Sequence, residues 1–198
     1  LEVAPGGRAL LFAMAVVPGK TPAETRAALD AREAAKATGM TFDRLFARHW
    51  DTWTDGTRNH LFSYPLPGGP ARDLMPAMDA DCPGKPFGGS EDFTVTPDGK
   101  SVVFSARDAG RAEAWSTNFD LFEVPLDGGA APLRFTTNPA WDAQPKFSPD
   151  GARLAYLAMS RAGYEADRFA IVIRDRATGA ERKLELRAAE GRFGDRSP

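Results

Sequence analysis

Residues 147–158 read FSPDGARLAYLA, residues 95–106 read VTPDGKSVVFSA, and residues 3–14 read VAPGGRALLFAM. Pro97 and Pro149 lie 52 positions apart (149 − 97). Pro-Asp-Gly is a tight-turn sequence: proline presets φ, aspartate bonds the backbone two residues on, and glycine accepts positive φ. The flanks, DFTVT and PKFS before the turn and KSVVFSA and ARLAYLA after it, are rich in β-branched and aromatic residues. They read as paired strands. At Pro5-Gly6-Gly7 a second glycine replaces the aspartate, which the same turn tolerates.

A second phrase follows each copy. It reads LFSYPLPGG at 61–69, LFEVPLDGG at 121–129 and, more loosely, IVIRDRATG at 171–179, and each is followed by a short strand-like run. The unit is strand, PDG turn, strand, connection, strand, glycine turn, strand. This is a four-stranded antiparallel meander with a period near 50. One such sheet cannot cover its own faces, and radial stacking of copies does. The expectation is an all-β, partial β-propeller of about three four-stranded blades. Blade one covers 1–75, blade two 87–137 and blade three 141–187, with 188–198 starting a further blade. A β-sandwich with coincidental turns is the plainer alternative.

The first copy carries an insertion, TPAETRAALDAREAAKATG. Thr21 suits an N-cap, Pro22 the first helical position and Glu24 the third, which completes a capping box. Gly39 suits the residue beyond the helix end. The spacing predicts one external helix over 22–38, with Arg26 and Asp30 paired one turn apart. FDRLFARHWDTWTDGTRNHLFSYPL then reads as a hairpin turning at TDGTR.

Composition bounds the function. The chain has 198 residues, 42% apolar and 26% charged, with a formal net charge of −2. That balance gives no basic face for nucleic acid. Glycine (19) and proline (16) are spread between apolar runs, which favours many short strands. The single cysteine, Cys82, excludes an internal disulfide. No run approaches the ~18 apolar residues of a membrane span, and no signal peptide is legible. Propellers close with about four to eight blades, so three blades read as an unfinished array. Its completion lies either in a longer polypeptide or in a ring closed by self-association as a homo-oligomer.

Chemistry-bearing residues are few. The nucleophile elbow G-x-S-x-G is absent; Gly88-Gly89-Ser90-Glu91-Asp92 fails at its last position, and Ser90 reads as a turn residue. His49 and His60 have no cysteine or second histidine at metal spacing. They read as structural, with Arg48, His49, Trp50 and Asp51 tying blade edges. Asp79–Gly84 lacks the ligand pattern of a calcium loop and reads as an inter-blade connection. Trp50, Trp53, Trp115 and Trp141 read as blade-packing aromatics. No catalytic residue, metal or cofactor is expected. Glu91 and Asp92 are the candidate substrate-binding pair. They open the first strand of blade two, while the corresponding positions of blade three are Ala143 and Gln144. Their plainer reading is a solvated strand end or a salt bridge to Lys85 or Arg107.

The segments FDRLFARHWDTWTDGTRNHLF, KPFGGSEDF and TPDGKSVVFSAR together resemble the propeller of prolyl oligopeptidase family serine peptidases, in the dipeptidyl peptidase type 5 and acylaminoacyl-peptidase branch. The resemblance implies a C-terminal α/β-hydrolase domain of the same polypeptide that carries the catalytic Ser, Asp and His. It implies a propeller that gates peptide substrates, and carboxylates, here Glu91 and Asp92, that hold the peptide's free amine. It also implies a periplasmic or secreted location. The PDG turns by themselves occur equally in TolB-like periplasmic binding propellers without enzymatic activity, which is the rival reading.

Overall fold

The structure, a computed structural model, describes residues 1–45, 47–49 and 51–184. Twelve of its strands form three four-stranded antiparallel sheets in chain order. The first sheet contains β1 (Glu2–Val3), β2 (Ala9–Val16), β5 (Arg58–Pro65) and β6 (Arg72–Asp73). The second contains β7 (Phe93–Val95), β8 (Ser101–Ala106), β9 (Asp120–Pro125) and β10 (Leu133–Arg134). The third contains β11 (Asp142–Phe147), β12 (Arg153–Ala158), β13 (Ala170–Asp175) and β14 (Glu181–Leu184). Within each sheet every strand pairs with its neighbour in this order, so each is a simple meander. Three such sheets in series, packed face to face, make a partial β-propeller. The expected further blade at 188–198 lies outside the described residues, as does Trp50.

The repeated phrase forms the turns the residues dictate. Gly99 and Gly151 both take φ +69°, and their amides close onto the carbonyls of Thr96 and Ser148. Asp98 and Asp150 each accept from the backbone two residues on, Lys100 N at 3.1 Å and Ala152 N at 3.0 Å. Consecutive turns touch: a Cβ on Gly99 would stand 2.6 Å from the Pro5 carbonyl oxygen, and one on Gly151 3.3 Å from the Pro97 ring.

Strand alternation divides the core into two layers. Val102, Phe104 and Ala106 of β8 join Leu11, Leu61, Phe93 and Val124 between the first two sheets. Val103, on the opposite face of β8, joins Leu121, Leu154, Tyr156 and Val172 between the second and third. The middle sheet is therefore apolar on both faces. Two buried serines stitch the layers across: Ser63 Oγ donates to the Leu126 carbonyl and Ser105 Oγ to that of Asp142, each at 2.6 Å.

The helix α1 (Pro22–Glu33) starts as expected. Thr21 caps Glu24 N, Glu24 reaches back to Thr21 N at 2.8 Å, and Arg26 holds Asp30 at 2.9 Å. It ends at Glu33, short of residue 38. Thr25 is its one buried residue, so little packing supports a further turn. The following hairpin also differs from expectation. β3 (Arg48–His49) pairs with β4 (Thr52–Trp53), so the chain reverses between His49 and Thr52. TDGTR leads into β5, which pairs with β2 instead. Asp55 Oδ1 takes both the amide and hydroxyl of Thr57, a local turn that redirects the chain without pairing it.

Candidate functional site

Antiparallel meanders send alternate connections to opposite ends of the sheets. One end carries the short PDG and glycine turns. The other carries the long connections 17–57, 74–92, 107–119, 135–141 and 159–169. The large apolar side chains left exposed favour this loop end: Met40, Leu45, Trp53, Phe87, Trp115 and Tyr164 all lie in its connections. Trp53 and Trp115 are thus not blade-packing residues as expected; 53% and 65% of their surface is exposed. Trp141 does pack between blades, stacked 4.7 Å from Phe119 with Phe169 at its edge.

Arg58, at the start of β5, organises the loop end. It donates to Asp79 at 2.8 Å, to Asp81 at 2.9 Å, and through both terminal nitrogens to Glu113 at 2.8 and 2.6 Å. Arg44 joins at Asp79 (2.7 Å), Lys85 at Asp81 (3.2 Å) and Arg107 at Glu113 (3.7 Å). Burial opposes the charge of Arg58, but its bonds to Glu113 and Asp79 outweigh that and raise its pKa further. Burial likewise pushes Asp79 up, and the bonds from Arg58 reverse it. The network joins three connections that sequence reading treats separately. No local pattern marks it, because the partners of Arg58 lie 21 to 55 residues away.

Glu91 and Asp92 fall within a 3-10 turn, Ser90–Asp92, immediately before β7 rather than inside the strand. The turn packs against β11 of the next sheet. Asp92 accepts from the Gly84 amide at 2.9 Å, and Gly88 donates back to the Gly84 carbonyl at 2.6 Å. Gly88 is required there: any Cβ would collide with the Asp92 carboxyl and the Gly84 backbone. The segment KPFGGSED is therefore one closed loop around a carboxylate. Burial pushes the Asp92 carboxyl up, the Gly84 bond holds it down in part, and the adjacent Glu91 charge adds to the rise. Glu91 and Asp92 are both half-buried. The salt-bridge partners suggested for the pair are engaged elsewhere, Lys85 with Asp81 and Arg107 with Glu113.

Further along the same end, His49, Trp115 and Tyr164 line a groove of about 380 Å³. Three connections line it, and two of them are latched by Gly163 N donating to Thr117 Oγ1 at 3.0 Å. The Arg161 guanidinium lies 3.9 Å from the Tyr164 ring centroid. His60 has a different fate. It is fully buried, with Nδ1 2.8 Å from an Asp73 carboxylate oxygen and Nε2 3.1 Å from the Met78 carbonyl. Among the described residues, no group of three or more His, Cys, Asp or Glu could hold a metal ion. No helix of the described residues is long and apolar enough to cross a membrane. The loop end presents exposed aromatic side chains and the partly buried carboxylates of Glu91 and Asp92.

The fold defines the class: a β-propeller portion with one loop-rich end. No family model matches the chain. It is 34% identical over 179 residues to dipeptidyl-peptidase 5 of Porphyromonas gingivalis, covering 88% of this chain and 25% of that protein. It is 33% identical over 186 residues to dipeptidyl-peptidase 5 of Trichophyton equinum, covering 85% of the chain and 25% of the relative. A solved structure described as putative TolB from Agrobacterium tumefaciens matches 64% of this chain and 39% of its own at 21% identity, with a TM-score of 0.42. The chain is thus similar over most of its length to the dipeptidyl-peptidase 5 branch of the prolyl oligopeptidase family. It spans about a quarter of the length of those curated relatives.

Proposed function

We propose that this chain is the propeller segment of a serine exopeptidase that releases dipeptides from peptide N-termini, and that it gates and orients the substrate. The reading takes its blades as 1–75, 87–137 and 141–187. A C-terminal α/β-hydrolase domain of the same polypeptide supplies the nucleophile, and the protein works in the periplasm or outside the cell. The similarity to dipeptidyl-peptidase 5 proteins over 88% of the chain carries this reading.

Within it, Glu91 and Asp92 hold the substrate's free ammonium. A desolvated ammonium needs a carboxylate partner, and charge-assisted hydrogen bonds are the stronger ones. Glu91 makes the contact; Asp92, held by Gly84 N, fixes the loop that presents it. The test uses the full-length polypeptide. Glu91→Gln raises KM for free-amine dipeptidyl substrates roughly tenfold, the size of one lost charge-assisted bond, and leaves N-blocked substrates unchanged. Equal KM for both substrate types in wild type and variant removes Glu91 from this role. A full-length polypeptide with no peptidase activity at all removes the reading itself and favours a binding propeller.

A further inference from the structure

Asp142 opens β11, where the second and third sheets meet. Its amide donates to the Phe119 carbonyl at 2.8 Å and its carbonyl accepts from Ser105 Oγ at 2.6 Å, both from the second sheet's side of the junction. Asn138, in the connection between the sheets, uses its side-chain amide twice, on Asp142 Oδ1 and on the Met159 carbonyl, each at 2.8 Å. The residue is fully buried. Its second carboxylate oxygen, Oδ2, is also buried and has no hydrogen-bond partner among the described residues. A buried carboxylate oxygen left unpaired is costly when ionised.

Among the described residues, the nearby cations are engaged with other carboxylates. On β9, Asp120 places a second buried carboxylate nearby, and Arg134 of β10 is engaged with it at 3.2 Å. On β14, Glu181 adds a third negative charge, and Arg174 of β13 is engaged with that one at 2.7 Å. On β12, the Tyr156 phenol is neutral, its pKa raised by burial and by Glu181 and Asp142. The Thr136 hydroxyl accepts from Leu121 N at 2.8 Å and lies 3.4 Å from Asp120 Oδ1. A cavity of about 420 Å³ beside Thr136, Asn138, Tyr156 and Glu181 brings solvent close. Oδ2 itself exposes essentially no surface, so a proton is the counter-charge that reaches it.

We propose that Asp142 is a pH-sensitive clasp between the second and third sheets: protonated from solvent at Oδ2 it closes the junction, and ionised it loosens it. Burial pushes its carboxyl up to about 6; Asn138 and Thr136 hold it down in part, while Asp120 and Glu181 push it further up. The sign follows from linkage. A folded-state pKa above the unfolded one gives stabilisation that is full below the ordinary aspartate value and is lost as pH rises through about 6. The clasp acts on the junction that positions the connection carrying Trp115 against the one carrying Tyr164.

The experiment is amide hydrogen exchange on the full chain from pH 5 to pH 8, corrected for intrinsic exchange. Protection of the Asp142 amide, which bonds Phe119 O across this junction, falls roughly tenfold or more. The Leu74 amide, bonded to Leu61 O in the first sheet, stays level. In Asp142→Asn the pH dependence at the junction disappears. An unchanged slope in that variant, or a flat wild type, overturns the proposal. Asp120→Asn gives an independent arm: removing the neighbouring charge moves the midpoint to lower pH, and an unmoved midpoint also overturns it.

Discussion

The two ends of the sheets are built on opposite plans. At the turn end each reversal is closed by its own residues: Asp98 binds Lys100 N, Asp150 binds Ala152 N, and each glycine supplies the positive φ. At the loop end the connections are long and are held by one another, through Arg58 with Glu113, Gly163 with Thr117, and Asp92 with Gly84. Local closure needs only short-range chemistry, so it can be repeated blade after blade. Mutual closure needs partners far apart in sequence, so each loop can differ while the ensemble stays ordered. Exposed aromatic surface collects at the second end because its backbone is held by polar bonds rather than by burial of those rings. Function concentrates on loops held by a rigid scaffold for the same reason.

The largest test of this contrast is Arg58→Met. The guanidinium is only 13% exposed, and its loss leaves Glu113 and Asp81 as poorly compensated buried charges. A loss of about 3–5 kcal/mol is expected, measured by urea unfolding. A loss below about 1 kcal/mol would mean that the loop end does not depend on the network. Next is Gly99→Ala at the turn end, where positive φ and the approach to the Pro5 carbonyl act together. It should cost about 1–3 kcal/mol. Gly6→Ala, with φ +81° but open space around it, should cost less. Equal effects would show that contact between neighbouring turns adds nothing to the dihedral cost. Smaller again is Thr21→Ala, which removes the cap of the inserted helix and should cost about 1 kcal/mol, read as a lower helix signal on heating. The smallest effect on stability is Trp115→Ala. Its ring is 65% exposed, so stability should stay within about 0.5 kcal/mol. A larger loss would make Trp115 a packing residue after all and weaken the contrast between the ends.

Much of the scaffold was legible because its signals are local. PDG and GG set the turns, alternation set the faces of β8, and Thr21, Pro22 and Glu24 set the start of α1. The end of α1 was less legible, because Ala34–Thr38 has helical propensity but no packing partner. The hairpin after it was misplaced because TDGTR is a good turn sequence whose flanking strands pair elsewhere. Glu91 and Asp92 were visible as adjacent acids. That Asp92 is bonded to the Gly84 amide and closed in against Gly88 was not, since those contacts depend on how the loop folds.

The sequence by itself determined the repeat and the four-stranded unit, because turn chemistry and strand alternation act over a few residues, and it carried the kinship with dipeptidyl-peptidase 5 proteins in segments such as KPFGGSEDF. Tertiary structure alone decided that Arg58 gathers Asp79, Asp81 and Glu113, and that Asp142 is buried with one oxygen unpaired. Electrostatic environment depends on which distant groups and how much water surround a charge. Those are properties of the packed sheets, and no window of sequence contains them.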